Sequence, residues 1–224
     1  MTGMTIAKSV ERPLIEICAD GFDKACVAEK AGADRIELCS DLSVGGITPP
    51  REEIHASAQL TVPVNVLVRP RSGDFCHTPA EKDIILKDIR FCGTAGVHGV
   101  VIGALTPAGR TDLDFCREAV ALARREGLSV TFHRAIDTVP DILSVLEEVL
   151  SLGVDRILTS GGAPTAWEDR EMIAEMIRRS AGRAVILGGS GVTADNALAL
   201  VRETGLREIH GSRTGILNAF TPKF

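Results

Sequence analysis

The sequence predicts an α/β protein, a TIM-like (β/α)8 barrel, from three observations. Short segments rich in Val, Ile and Leu alternate with helical segments along the chain, with a period of about 25 to 30 residues. Eight such strand segments can be distinguished, and their near-continuous apolar content is typical of strands buried on both faces of a parallel sheet. No GxGxxG sequence follows the first strand and no shift in composition divides the chain, so the barrel is favoured over a doubly wound open sheet.

The first strand–helix–strand unit shows the pattern most clearly. Strands are predicted over 14–20 and 33–41, and a helix over 23–31 that ends at Gly32. The length of this crossover implies parallel pairing of the two strands. Successive strand residues point to opposite sides, so each strand places a glutamate and a cysteine on one face: Glu16 and Cys18 on the first, Glu37 and Cys39 on the second.

The remaining elements follow the same rhythm. Further strands are predicted over 63–71, 97–105, 128–137, 154–160, 183–188 and 206–212. Helices are predicted over 79–93, 111–126, 140–152, 166–180 and 194–203, the first of them beginning at the Thr78-Pro79 cap. Only residues 214–224 follow strand eight, too few for a full closing helix, so we expect an incomplete final helix or closure by another subunit.

Composition and charge narrow the class of protein. With 224 residues and 45% hydrophobic content the chain can bury one large core, and we expect a flexible segment over 1–12 followed by a single domain over 13–224. A formal net charge of −5 without a run of basic residues argues against nucleic acid as a partner. No apolar run approaches the length of a membrane span, and no export signal is evident, so a cytoplasmic protein is expected.

Polar residues at the ends of the predicted strands are the candidates for function, because barrels of this kind place their sites where strands end and the following loops begin. By alternation the inward set is Glu16, Cys18, Glu37, Cys39, Asn65, Arg69, Arg71, Thr131, His133, Ser160, His210 and Ser212. Buried charges are costly unless they are paired. The mixture therefore indicates either a salt-bridge network that fixes strand register or a site for a ligand or reaction.

Several of these residues suit an anionic ligand. Arg69 and Arg71 place two guanidinium groups at the end of strand three, an arrangement suited to binding a carboxylate or phosphate. The alternative is that both arginines form ion pairs with the glutamates of strands one and two. Glycine-rich turns follow strands six, seven and eight, and the loops after strands seven and eight are where barrels commonly hold phosphate, although glycines also simply make tight turns. The predicted substrate or anion-binding residues are Glu16, Arg69, Arg71, Ser160, Gly161, Gly189 and Ser212.

Two further residue types point to acid–base or metal chemistry. His133, followed by Arg134 and Asp137, is a candidate general acid or base, as is Glu37, although a strand histidine is often only a structural residue. Cys18 and Cys39, if their strands are neighbours in register, lie about 5 Å apart. Two thiolates suit Cu(I), a soft ion, but a pair of reduced core cysteines is the alternative.

Several longer stretches resemble the CutC family, whose members are described as copper homeostasis proteins. The resemblance extends from Leu14 to about Ser212 and rests on the stretches GADRIELCSDLSVGGITP (32–49), RPRSGDF (69–75), VTFHRAID (130–137), RILTSG (156–161) and EIHGS (208–212). It implies a TIM-like barrel, a cytoplasmic location and assembly into a homo-oligomer, a dimer or tetramer. It further implies Cu(I) binding through Cys18 and Cys39.

Two functions therefore follow from the sequence. The first is a cytoplasmic copper homeostasis protein whose metal site is Cys18 and Cys39, with the copper ion as its partner. The second is an enzyme acting on a small anionic metabolite, such as a phosphorylated one, with His133 or Glu37 as acid or base and Arg69 as the anion clamp.

Overall fold

A closed barrel of eight parallel strands forms the centre of the molecule, as the computed structural model of residues 11–220 shows, and this confirms the predicted fold. The strands pair in sequence order, and the eighth closes on the first. They are β1 (Leu14–Asp20), β2 (Arg35–Cys39), β3 (Val64–Leu67), β4 (Gly99–Ile102), β5 (Ser129–Phe132), β6 (Arg156–Thr159), β7 (Val185–Gly188) and β8 (Glu208–Gly211). Most of the predicted flexible segment 1–12 lies outside the described residues, and that prediction stays a prediction.

Helices cover the outside of the barrel. Within residues 11–220 they are α1 (Phe22–Lys30), α2 (Arg51–Ser57), α3 (Pro79–Ala95), α4 (Leu113–Arg125), α5 (Ile142–Ser151), α6 (Arg170–Ser180) and α7 (Ala197–Thr204). Short 3-10 helices follow β2, β5 and β8, at Leu42–Val44, Arg134–Thr138 and Thr214–Phe220. The last of these stands where a complete barrel would have its eighth α-helix. No helix in the described part of the chain is both long enough and apolar enough to span a bilayer.

The sequence determines the start of several helices through capping. Thr78 and Glu81 form a capping box at the start of α3, and Pro79 occupies its first turn. Aspartates at the caps of α4, α5 and α6, namely Asp112, Asp141 and Asp169, each accept a hydrogen bond from a backbone N–H three residues ahead. These caps fix where each helix leaves the barrel mouth, the end at which the strands finish.

Two strands, β3 and β5, end at least four residues before their predicted ends, and this matters for the site. β3 ends at Leu67 and β5 at Phe132, whereas the predicted strands extend to 71 and 137. Beyond β3 the Arg69 backbone N–H donates to Thr48 Oγ1 at 2.9 Å instead of extending the ladder. Beyond β5 the chain turns into the 3-10 helix that begins at Arg134. Arg69 and His133 therefore lie in loops at the mouth.

The barrel wall separates an apolar outside from a polar inside. Outward-facing strand residues such as Ile15, Ile36 and Leu38 are fully buried against the helices and belong to the main hydrophobic core. In the register of β1 with β2, Glu16 pairs with Arg35, Cys18 with Glu37 and Asp20 with Cys39. Charged side chains and thiols thus fill the interior, where branched apolar residues are usual.

Candidate functional site

The inner end of the site is a paired network that we call the lower layer, made of Glu16, Arg35, Asn65 and Glu208. Arg35 bonds to Glu16 through Nε, and its Nη2 lies 2.5 Å from Glu208 Oε2. Asn65 Nδ2 donates to Glu16 Oε2 at 3.3 Å. Burial alone would raise the pKa of Glu16, but the charge of Arg35 and the contact with His210 outweigh burial and lower it to about 2. The carboxylate is therefore held ionised inside the barrel.

His210 connects the lower layer to the cavity above it. Its Nδ1 lies 2.9 Å from Glu16 Oε1, and its Nε2 lies 3.4 Å from Glu37 Oε2. Burial opposes protonation of His210, yet the two glutamates raise its pKa. Burial, only partly offset by His210, raises the pKa of Glu37 to about 7. No described residue donates a hydrogen bond to Glu37, so its carboxyl group is available to a ligand in the cavity.

The two cysteines predicted to bind metal lie side by side above this network. Cys18 Sγ and Cys39 Sγ are 3.5 Å apart although the strand register offsets the two residues. Cys39 is fully buried, and both cysteines pack with Leu67 and Val101. The contact with Cys39, together with burial and the nearby Glu37, raises the pKa of Cys18, so its thiol is neutral when no ligand is bound.

These side chains form a set of metal-ligating atoms. Sγ of Cys18, a carboxylate oxygen of Glu37 and a ring nitrogen of His210 all lie within 4.8 Å of one another. Cys39 is outside this group, but its sulfur lies 3.5 Å from that of Cys18. We call Cys18, Glu37, Cys39 and His210 the thiol wall. Two sulfurs and an imidazole nitrogen are ligands preferred by soft and borderline metal ions. The set is buried, so only a small ligand within the barrel can reach it.

A different group of side chains follows β3 and β5. Arg69 is only 5% exposed, and its guanidinium donates to three carbonyl oxygens, those of Val44 (3.4 Å), Gly46 (2.9 Å) and Gly73 (2.7 Å). No carboxylate of the described residues forms an ion pair with it, and its Nε has no hydrogen-bond partner there. The guanidinium also lies over the ring of Phe75, 4.8 Å from its centroid.

His133 also packs against Phe75, with the two ring centroids 4.8 Å apart. Its Nδ1 accepts a hydrogen bond from the Ala135 backbone N–H at 3.2 Å, which assigns the proton of the neutral ring to Nε2. That Nε2 is buried and has no partner among the described residues. Burial, with the charge of Arg69, lowers the pKa of His133 to about 3, so the ring is neutral. We call Arg69 and His133 the donor wall.

The thiol wall and the donor wall line one cavity of about 890 Å³. Its rim is formed by the loops after β2, β6, β7 and β8, including Gly45, Gly162, Ser190, Gly191, Ser212 and Arg213. Six of the residues predicted from the sequence meet here: Cys18, Glu37, Cys39, Arg69, His133 and Ser212. Their roles in binding or catalysis stay predictions.

The structure places the other predicted residues outside the cavity wall. Glu16 lies beneath it in the lower layer, and Arg71 forms ion pairs with Asp74 (2.9 Å) and Glu81 (2.6 Å). The Ser160 hydroxyl bonds to Asp137 and to the Ala163 carbonyl. Side chains at Gly161 and Gly189 would strike the Asp169 carbonyl and Leu158, each at 2.7 Å, so both glycines are required by packing. The functions predicted for these residues stay predictions.

Sequence reasoning gave too little weight to two residues. His210 joins both glutamates, and Arg35 holds the lower layer together. The signal for His210 was its inward position on the last strand, because a closed barrel puts β8 next to β1. The signal for Arg35 was its place on the same strand face as Glu37 and Cys39.

Sequence comparisons with known proteins all match this chain to the CutC family. The model of the CutC family matches residues 13–215. A CutC family protein of Pasteurella multocida is 41% identical over 202 residues, which cover 90% of this chain and 82% of that protein. The human copper homeostasis protein cutC homolog is 42% identical over 200 residues, covering 89% of this chain and 72% of the human protein.

A solved structure agrees with the sequence relatives. The crystal structure of a copper homeostasis protein CutC from Streptococcus agalactiae superimposes with a TM-score of 0.85. It is 30% identical in sequence, and the match covers 91% of this chain and all of the other. The similarity therefore extends over the whole barrel.

Proposed function

The chain belongs to the CutC family, and we propose that it serves copper homeostasis by binding Cu(I) through Cys18 and Cys39. The observation that carries this proposal is the 3.5 Å separation of the two sulfur atoms inside the barrel. Cu(I) is a soft ion and accepts thiolate ligands in preference to oxygen. Here copper is the cargo of the protein.

The neighbours of the two thiols support the same proposal. His210 offers an imidazole nitrogen within the same set of ligand atoms, and Glu37 offers a carboxylate. The neutral thiol of Cys18 would have to lose its proton to bind the ion, as metal thiolates require. Apolar contacts of the two cysteines with Leu67 and Val101 restrict water at the sulfurs. Exclusion of water protects thiolates and Cu(I) from oxidation.

An anaerobic Cu(I) titration against a competing chelator tests this proposal. The fully reduced wild type should bind one ion tightly, and the Cys18→Ser/Cys39→Ser double variant should lose at least about a hundredfold in affinity, because hydroxyl oxygens replace both soft ligands. His210→Gln should weaken binding less than the double variant does, by about tenfold, because it removes the imidazole and leaves both sulfurs in place.

A matched control is available within the chain. Cys92 and Cys116 are also buried free thiols, but they lie on α3 and α4, away from the cavity. The Cys92→Ser/Cys116→Ser variant should therefore retain the wild-type affinity. Equal affinity of wild type and the Cys18→Ser/Cys39→Ser variant would contradict the proposal.

Two further properties belong to the same proposal. A cytoplasmic location is supported by the six cysteines, all free, which suit a reducing compartment. Assembly into a homo-oligomer, a dimer or tetramer, rests on the family resemblance. Light scattering on the purified protein measures the subunit number directly, and a monomer at micromolar concentration would contradict the assembly.

A further inference from the structure

The cavity has a second side that copper binding leaves unused. We propose that the donor wall, Arg69 and His133, binds a small organic oxyanion, a carboxylate or a phosphate ester. This inference goes beyond Cu(I) binding, because neither residue belongs to the set of metal-ligating atoms.

Arg69 carries a buried positive charge that no carboxylate of the described residues neutralises. Buried charges are costly and are ordinarily paired with an opposite charge. Arg35, the other nearly fully buried arginine, contacts two carboxylates, whereas Arg69 donates to carbonyl oxygens and stacks on Phe75 but has no carboxylate partner among the described residues. Carbonyl groups satisfy hydrogen bonds but leave the positive charge uncancelled. An anion in the cavity would cancel it.

Arg69 and His133 each also have a hydrogen-bond donor without a partner among the residues that the structure describes. Arg69 Nε–H and His133 Nε2–H are both buried donors with no acceptor in the described part of the chain. A guanidinium presents parallel N–H groups that match the two oxygens of a carboxylate or phosphate. A ligand that only accepts hydrogen bonds and carries negative charge therefore satisfies both residues.

The same region disfavours a cation. His77 lies close enough to influence His133 electrostatically, and it is buried beside the Gly103 backbone. Burial lowers the pKa of His77 and of His133, and Arg69 contributes to both effects. Burial keeps both rings neutral, and the positive charge of Arg69 beside them would repel a metal ion.

The size and the rim of the cavity favour a small organic ligand. A volume of about 890 Å³ far exceeds the need of a single ion and lies in the range of small-molecule sites. The rim includes Gly162 and Gly191, whose φ values of 92° and 65° are left-handed. Turns of this kind after the last strands of a barrel expose backbone N–H groups to a phosphate. The cavity thus has room for the organic part of the ligand as well as its charged group.

Calorimetric titration of the reduced, metal-free protein tests the proposal at constant ionic strength. The probes are inorganic phosphate and, separately, malonate, and at least one should bind saturably. Binding of phosphate alone would identify a phosphate ester as the ligand class, and binding of malonate alone would identify a carboxylate. Binding of both would show that the site recognises the oxyanion group that the two ligands share. Arg69→Met should weaken binding by at least about tenfold, because the bidentate charged partner is lost.

A second variant keeps the test valid if Arg69→Met does not fold. Ser212 is exposed at the rim of the cavity, so Ser212→Asp changes charge without disturbing the core. It should also weaken binding, by about threefold or more, through repulsion. Ser212→Asn has nearly the same shape as Ser212→Asp without the charge and should therefore weaken binding less than Ser212→Asp does.

Two controls separate this site from others. Arg51 also stacks on an aromatic ring, that of Phe91 at 4.6 Å, but lies outside the cavity, so Arg51→Met should leave binding unchanged. Cys18→Ser/Cys39→Ser should also retain oxyanion binding, which separates this site from the copper site. The proposal is overturned if neither probe binds saturably, or if folded Arg69→Met and Ser212→Asp proteins bind as the wild type does.

Discussion

The lower layer and the cavity above it differ in how their charges are paired. In the lower layer each carboxylate meets a guanidinium: Glu16 contacts Arg35, and Glu208 contacts both Arg35 and Arg156. In the cavity, Arg69 has no carboxylate partner among the described residues, and Glu37 receives no hydrogen bond from them. The buried charged groups of the barrel thus fall into two sets with different roles. The paired layer fixes the strands. Among the described residues Arg69 has no carboxylate partner, and the ion pair of Glu37 is the 3.4 Å contact with His210, so both groups can still take up a ligand.

The largest effect should follow from breaking the paired layer. Arg35→Met leaves Glu16 and Glu208 without the guanidinium that joins them. Removal of one partner from a buried ion pair costs about 3–5 kcal/mol, so the free energy of unfolding should fall by that amount. Urea unfolding monitored by circular dichroism measures it. A loss below about 1 kcal/mol would show that the lower layer is not what holds the strands together.

The pH dependence of stability tests the group that links the two regions. Because the pKa of Glu37 is raised from 4.5 to about 7, the folded protein keeps a proton that the unfolded chain loses in this range. The resulting stabilisation is complete below pH 4.5 and is lost as the pH rises through about 7. It amounts to at most about 3 kcal/mol.

Glu37→Gln keeps the neutral shape at all pH values and should remove this dependence. The pKa of His210 is raised as well and adds a loss of the same sign, so the informative quantity is the difference between the two proteins. Urea unfolding at several pH values from 4.5 to 7.5 provides it. Parallel curves for wild type and variant would contradict the assignment of the raised pKa to Glu37.

The donor wall should matter less to stability than the lower layer. Arg69→Met removes hydrogen bonds to the Val44, Gly46 and Gly73 carbonyls, but these lie in loops at the mouth, where water can replace the guanidinium. We expect a loss of about 1–2 kcal/mol. The same urea unfolding measures it, and a loss as large as that of Arg35→Met would mean that Arg69 is a structural residue after all.

The smallest effect is expected on the outer surface. Arg183 and Glu147 form an ion pair at 2.8 Å whose side chains are both nearly half exposed. Arg183→Met should lower the free energy of unfolding by no more than about 1 kcal/mol, because exposed pairs contribute little. The loss should shrink further in 0.5 M salt, and a large, salt-independent loss would show that burial does not explain the ranking of these variants.

Much of the fold was predictable because it depends on local patterns. Alternation along the strands identified the inward faces of β1 and β2, and the Thr78-Pro79 cap located the start of α3. The short helix α2 (Arg51–Ser57) was not predicted, since its seven residues include only one large apolar side chain, Ile54. The ends of β3 and β5 were placed too late, because Arg69 and His133 continue the alternating pattern after the ladder has ended.

The positions of several predicted residues around the cavity follow from the sequence, but their pairing does not. The sequence allowed Arg69 to pair with the glutamates of strands one and two. In the structure Arg35 forms the ion pair with Glu16, and Arg69 donates hydrogen bonds to loop carbonyl groups. Arg71, equally placed in the sequence, turns to Asp74 and Glu81. Such choices depend on side chains reaching across the barrel, and sequence spacing does not encode them. The thiol contact likewise depends on the stagger of β1 and β2.

The contact of Glu16 with His210 joins residues 194 positions apart in the chain. Both the lower layer and the thiol wall contain a residue of β8, so neither is complete until the last strand has been synthesised and has docked against the first. Contacts of such long sequence separation are slow to form. A chain still emerging from the ribosome therefore displays Cys18 and Cys39 before His210 has been synthesised, and the site forms only once β8 is in place.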